Sequence, residues 1–179
     1  MLRFGRTRLN GVIPFQRHPV VGHRGGFARL FCPQLIEEAG SKFIAFQTNL
    51  SMNPAKHTLR GMHFQRPPHS EAKVVQVLSG AVFDVVVDMR PESSTYLSWQ
   101  GFELSRENGR GVHIPEGFAH GFLTLQRDTD VHYTMNRAYQ AGHAAGFRFD
   151  DPAVGIRWPE LPKVIARADQ EWPDIEHPF

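Results

Sequence analysis

Cysteine is nearly missing from this chain: Cys32 is the only one in 179 residues, so no intrachain disulfide can form, which suits a reducing compartment. No basic cluster or evident helix start surrounds Cys32 to lower its pKa, so it reads as buried filler and not as a nucleophile. Long apolar runs are missing too. None approaches the roughly eighteen residues needed to span a bilayer, and Arg3, Arg6 and Arg8 are not followed by the apolar stretch of a secretory signal. These absences predict a soluble, unexported, cytoplasmic protein without a membrane partner. Charge of one sign is lacking as well: twenty Lys and Arg offset eighteen Asp and Glu for a formal +2. The basic residues are scattered and form no dense stripe, which argues against a nucleic-acid partner. Helical periodicity is scarce. Only Pro33 to Ala39 looks like two helical turns, with proline at the start and Gly40 as a stop, and a second short turn is expected after Pro162.

What is present is strand. Hydrophobic residues make up 41% of the chain, enough for one sizeable core and hence a single domain over 1–179. Between about residues 42 and 137 they come in short runs rich in Val, Ile, Phe and Tyr, broken by Gly, Pro, Asn and Ser. The clearest hairpin pairs Val74–Leu78 with Val82–Asp88 across Ser79-Gly80. Strand alternation then puts Asp84 and Asp88 on the face of Val82 and Val86. Further strands are expected at Leu97–Leu104, Gly111–Ile114, Phe122–Leu125 and Val131–Asn136, with loops at Pro67-Pro68 and at 90–94. The pattern favours an all-β fold of antiparallel strands, closed or in two sheets, such as a jelly roll with short peripheral helices.

Two stretches carry chemistry: Leu59-Arg60-Gly61-Met62-His63-Phe64-Gln65 and Ile114-Pro115-Glu116-Gly117-Phe118-Ala119-His120-Gly121. In a regular strand Arg60 and His63 would leave on opposite faces, unless Gly61 introduces a bulge. Lys73 opens a strongly apolar strand and Asp84 lies within the next. Ionisable groups where Val or Thr would pack better point to a site, because buried charge is costly unless paired. Tyr133 and Tyr139 are two of only three tyrosines, and a phenol can serve as a neutral proton donor at pH 7. His69 reads as a solvated loop residue and Asp169, by pattern alone, as part of a charged surface tail.

The second stretch, with Gly109 six residues before Pro115, resembles the second motif of the cupin superfamily. Metal-binding cupins carry a His-x-His pair in the first motif, since a metal needs about three converging N or O ligands. Here that run is His63-Phe64-Gln65, one ligand short. From about Gly22 to Asp169 the chain resembles the dTDP-4-dehydrorhamnose 3,5-epimerase family of cupins, through HRGGF near residue 23, LRGMHFQ, KVVQVLSGAVFDVVVDMR, IPEGFAHGF and DDPAVGIRWP. The resemblance implies a cupin-type jelly roll, a homodimer, and epimerisation at C3, C5 or both of a nucleotide-diphospho-4-keto-6-deoxyhexose, without metal or organic cofactor. It implies His63 as the base, Asp169 as the partner that orients it, Tyr133 as the acid and Lys73 against the C4 oxygen. It also implies Arg24 and Arg60 at the diphosphate, Phe27, Gln47 and Asn49 around the nucleotide, and His120 and Tyr139 lining the sugar pocket.

The residue types suit that chemistry. A proton next to a ketone is removable when the enolate oxygen is stabilised, as by an ammonium in a pocket of low dielectric. Inversion needs an acid and a base on opposite sides of the ring. Three rivals are a sugar-nucleotide 3,4-ketoisomerase, a sugar-nucleotide-binding cupin without activity, and a metal-dependent cupin oxygenase. The first is a weaker match to LRGMHFQ and IPEGFAHGF, and the second has no need of an intact His63, Lys73, Tyr133 and Asp169. The chain departs from the family twice. His132 replaces the usual apolar residue before Tyr133, which alternation makes harmless if it points away. Arg29 stands where the family commonly has an acidic residue near the nucleotide base. A carboxylate accepts from N3–H of thymine, whereas cytosine offers acceptors that suit a guanidinium, so the expected base is cytosine or a purine. Titration with dTDP, CDP and GDP checks this, and tighter binding of dTDP than of the other two would refute it.

Overall fold

The computed structural model describes residues 2–175. In chain order the elements are β1 (Leu2–Phe4), β2 (Ile13–Arg17), β3 (Val20–Gly22), β4 (Gly25–Phe27), α1 (Pro33–Glu38), β5 (Gln47–Asn53), β6 (Thr58–Gln65) and β7 (Lys73–Ser79). They continue with β8 (Ala81–Asp88), β9 (Trp99–Ser105), β10 (Arg110–Ile114), β11 (Phe118–Thr124), β12 (Thr129–Met135), β13 (Ala144–Gly146), β14 (Val164–Ile165) and α2 (Arg167–Gln170). One sheet runs β1-β2-β10-β7-β12-β5, and the other β13-β6-β11-β8-β9 with β14 parallel to β6. β3 and β4 form a separate hairpin. This is an all-β jelly roll in which short strands from both ends of the chain widen the two sheets beyond the 42–137 core read from sequence.

The expected strands are found, but the expected hairpin is not. β7 pairs with β10 and β12, while β8 pairs with β11 and β9. The chain therefore turns a corner at Gly80 and crosses from one sheet to the other. Gly80 has φ +71, and a Cβ there would lie 2.2 Å from Thr129 Oγ1, so the corner is packed shut against β12 and leaves no room for strands to fold back side by side. β11 starts at Phe118, four residues before the expected Phe122, because Gly117 supplies the φ of +83 that the turn into the strand needs. The turn expected after Pro162 is the strand β14, and the helix follows at Arg167. Cys32 caps α1 and is half-buried, its Sγ on Gln34 Oε1 at 3.1 Å, so it is neither buried filler nor remote from a helix start.

The core lies between the sheets. Val82 and Val86 of β8, Phe118 and Phe122 of β11, Val75 and Val77 of β7 and Val131 of β12 share one buried cluster. Residues of the same parity on these strands therefore point inward. The outer face of β8 is covered too: Val85 and Val87 pack with Met62, Ala119 and Phe147.

The feature that shapes the interior is a bulge in β6. Opposite β11, His120 aligns with His63 but Phe122 aligns with Arg60. Between these pairs one residue of β11, Gly121, faces two of β6, Gly61 and Met62, so Arg60 and His63 emerge on one face. Gly61 is the extra residue, at φ +124, and a Cβ on it would sit 2.6 Å from Gly121 Cα and 2.9 Å from the His120 carbonyl oxygen. Gly61→Ala should therefore lower stability by about 2–3 kcal/mol through left-handed strain and backbone collision, read as a depressed thermal midpoint. A midpoint equal to that of the parent would contradict the close approach.

Candidate active site

Inward-facing positions of both sheets build one polar patch in an apolar interior. From β6 and β11 come Arg60, His63 and His120; from β8, Asp84, whose neighbour across the ladder is Phe122. From the facing sheet come Lys73 of β7, Tyr133 of β12, and Gln47, Asn49 and Asn53 of β5, where Tyr133 stands opposite Asn49 and Val75.

The histidines, the lysine, the arginine and the carboxylate there each have a partner. His63 Nε2 meets Asp169 Oδ1 at 2.6 Å, and the other carboxylate oxygen accepts from the Gly61 N–H at 3.2 Å. Asp169 reaches β6 because α2, entered from β14 alongside β6, delivers it there. Its side chain is 8% exposed and that of His63 47%. Burial alone would raise the Asp169 pKa, but the hydrogen bond and charge of His63, the Gly61 N–H and the Arg60 charge together lower it. A carboxylate so held fixes the imidazole tautomer and leaves Nδ1 free to act. Trp172 meets the His63 ring edge-on at 6.5 Å.

Two further pairs are buried more deeply. His120 Nε2 meets Asp84 Oδ2 at 2.7 Å, with Asp84 entirely buried. Lys73 Nζ lies 2.6 Å from Glu71 Oε1, and Glu71 Oε2 accepts from the Gln65 N–H at 3.1 Å. Glu71 escaped the sequence reading, although a carboxylate two positions before a lysine on an extended chain shares its side and was a detectable signal. Asn53 escaped as well. Its Oδ1 accepts from Arg60 Nε at 2.8 Å, tying the two sheets together, and Arg60 keeps its terminal nitrogens without a protein partner among the described residues.

The Arg60 cation acts on both Asp169 and Tyr133, which puts the three around one space. Tyr133 is half-buried, and burial pushes its phenol pKa up, with the Arg60 charge opposing. Gln47 Nε2 donates to Asn49 Oδ1 at 2.9 Å, and Asn49 Nδ2 to Met135 Sδ at 3.6 Å, so these amides form the β5 wall. Tyr139 is 59% exposed and lies next to Gln140, whose N–H is held by Gln65 Oε1 at 2.6 Å. His132 points to the opposite face with Gln76, away from Tyr133.

Arg24, Phe27 and Arg29 are not brought to this pocket within the chain. Arg24 is in the turn of the β3–β4 hairpin, Phe27 ends β4, and all three are exposed. His69 is not a free loop side chain: it is half-buried, its ring tilted against that of His143 at 4.1 Å between centroids. Among the described residues no group of three or more His, Cys, Asp or Glu side chains is placed to hold a metal ion, and no helix is long and apolar enough to cross a membrane.

Comparison with known proteins gives a consistent picture. The family model of dTDP-4-dehydrorhamnose 3,5-epimerase matches residues 6–177. The dTDP-4-dehydrorhamnose 3,5-epimerase of Methanothermobacter thermautotrophicus is 40% identical over 95% of this chain and 92% of its own. The Bacillus anthracis dTDP-4-dehydrorhamnose 3,5-epimerase, solved with TDP and PPi bound, superposes with a TM-score of 0.94 at 32% identity, covering 98% of this chain and 100% of that one. NovW of Streptomyces spheroides, a 4-keto-6-deoxy sugar epimerase, gives a TM-score of 0.90 at 30% identity over 97% of this chain and 87% of its own.

The site geometry carries a spectroscopic expectation. In a difference titration between the protein and Tyr133→Phe, the phenolate ultraviolet band should emerge only above pH 10, the ordinary tyrosine value, because burial raises this phenol. A band emerging below that pH would show a phenol stabilised as its anion.

Proposed function

The chain belongs to the dTDP-4-dehydrorhamnose 3,5-epimerase family of isomerases, and from that premise we propose that it epimerises a nucleotide-diphospho-4-keto-6-deoxyhexose at C3, C5 or both, in deoxysugar biosynthesis. The observation that carries this reading is the 2.6 Å His63–Asp169 pair, set on a face opposite a neutral phenol in the same interior.

The chemistry follows from the placement. His63 Nδ1 removes the proton on a carbon beside the C4 ketone, and Asp169 stabilises the imidazolium that forms. Negative charge moves to the C4 oxygen, where the Lys73 ammonium, aimed by Glu71, is the stabilising cation. Tyr133, on the other sheet, returns a proton from the opposite side of the ring. Arg60, with its Nε spent on Asn53, presents its terminal nitrogens to diphosphate oxygens. His120 and Tyr139 line the sugar end, and Gln47 and Asn49 the way to the nucleotide. No step calls for a metal or an organic cofactor.

The nucleotide end is completed by a second copy of the chain. Val21 and Phe27 of the hairpin are 76% and 73% exposed, and Ile44, Phe46 and Met52 add 82%, 70% and 67% beside β5. An apolar surface of this extent at the sheet edge next to the pocket is what a homodimer contact covers. In that arrangement the hairpin of one protomer carries Arg24, Phe27 and Arg29 to its partner's pocket, with Arg29 the group that selects the base. The whole chain acts as one domain, in the cytoplasm.

Incubation with dTDP-4-dehydro-6-deoxyglucose and with its CDP- and GDP-linked counterparts in deuterated water, read by NMR, should show deuterium entering at C3, C5 or both in at least one of them. Carbonyl migration without inversion would instead identify a 3,4-ketoisomerase, and bound substrate with no exchange would rule out an epimerase. His63→Ala should slow exchange by about 10³-fold while nucleotide affinity stays within a few fold. Lost affinity would make His63 a ligand contact and not the base.

A further inference from the structure

β1 is the last strand of one sheet and β9 the last of the other, and the cleft between them takes no part in the site described above. Pro14, Phe102 and Leu104 line it, and it encloses about 350 Å³. A second hollow of about 490 Å³ continues from Gly101 past Arg6, Arg8 and Trp99. Arg3, Gln16 and Arg110 stand in one row across β1, β2 and β10 at its rim. The guanidiniums of Arg3, Arg6 and Arg110 have no protein partner among the described residues. Only Glu103 opposes these arginines among the side chains that line the two hollows. Unpaired like charges on one edge repel one another, and an anionic ligand relieves that repulsion.

The edge of β9 says what kind of anion. The Trp99 carbonyl accepts from Arg8 Nη2 at 2.8 Å, the Glu103 carbonyl from Asn108 Nδ2 at 3.0 Å, and the Ser105 N–H donates to Asn108 Oδ1 at 3.0 Å. These alternate residues turn their main-chain groups off the free edge of the sheet, so Gly101, between Trp99 and Glu103, does the same. Among the described residues no protein group meets its N–H or its carbonyl, and it has no side chain to screen them. A free donor and acceptor on an edge strand are a template for an added strand. A small oligophosphate would satisfy the guanidiniums but would leave the Gly101 carbonyl, an acceptor, facing an anion. An extended peptide supplies both a donor and an acceptor.

We propose that this cleft is a docking groove for an acidic polypeptide segment of another protein, added in extended form along Gly101 of β9. Its carboxylates meet Arg3, Arg6 and Arg110, and its alternate apolar side chains rest on Phe102 and Pro14. The arginines that reject a neutral or basic strand from this edge are what admit an acidic one.

The test is fluorescence anisotropy on the full chain with a labelled peptide of about ten residues alternating glutamate and valine. This probe should bind, and its lysine–valine counterpart should not. The double variant Arg3→Glu/Arg110→Glu should weaken binding about tenfold or more, and N-methylation of the peptide backbone should weaken it comparably, since both the charges and the edge hydrogen bonds hold the strand. Methylation leaves the protein untouched, so the proposal stays testable even if the double variant fails to fold. No binding at millimolar peptide overturns it. Equal binding of the methylated peptide, or displacement by tripolyphosphate at matched charge, also overturns it and leaves an anion site only.

Discussion

The close approach of two backbones, at Gly61 of β6 and Gly121 of β11, is the constraint on which the site depends. Neither residue can carry a side chain: a Cβ on Gly61 would meet Gly121 Cα at 2.6 Å, and one on Gly121 would meet Met62 Sδ at 2.6 Å. The two backbones touch because β6 holds one residue more than β11 in this stretch. That extra residue lets an arginine and a histidine three positions apart share a face. It also turns the Gly61 N–H toward Asp169, so the bulge fixes the carboxylate that fixes the histidine. A regular strand would send either Arg60 or His63 to the outer face and dissolve the pocket.

Burying charge beside Val75, Val86 and Phe122 is costly, and the fold meets that cost by pairing. Lys73 with Glu71, His120 with Asp84 and His63 with Asp169 are each within 2.7 Å. An unpaired ion in such a setting would neutralise or draw in water. Pairing has a chemical consequence as well as a structural one. The lysine pair is 9% and 4% exposed, so the ammonium is held in a medium where its field on a neighbouring oxygen is weakly screened. The histidine of the 2.6 Å pair is instead about half exposed, as a group that must meet a ligand has to be. Depth thus separates the group proposed to stabilise charge from the group proposed to move a proton.

How much of this was legible in the sequence depends on the range over which each feature is determined. Strands were readable because alternation and turn residues are local: β7, β8, β10 and β12 fall where the apolar runs lie. Partnership between strands was not, since Ser79-Gly80 has the chemistry of a hairpin turn and only Thr129, packed against Gly80 from a distant strand, makes it a corner between sheets. The bulge was legible as a possibility, from a glycine between an arginine and a histidine, because the alternative left the motif without a purpose. Asp169 was not readable by pattern at all. It lies 106 residues from His63 in a charged tail, and only family likeness singled it out. Glu71 was overlooked although its signal was local. Arg24, Phe27 and Arg29 mark a different limit, for all three are exposed on or beside a hairpin that joins neither sheet.

The division of labour between the sheets gives the proposed reaction its stereochemistry. Sheet β13-β6-β11-β8-β9 supplies His63 and His120, and sheet β1-β2-β10-β7-β12-β5 supplies Tyr133 and Lys73. A sugar ring lying between two packed layers offers one face to each. A base on one layer and an acid on the other then act on opposite faces without any movement of the protein, which is the condition for inverting a carbon instead of returning the proton to where it came from. Whether one carbon or two invert is decided by which C–H bonds the ring turns toward His63, and so by how the diphosphate is anchored at Arg60 and by what closes the open end near Tyr139. In this architecture the proposed acid–base pair is fixed by the sandwich, and the outcome of the proposed reaction is set by the parts that hold the ligand's tail.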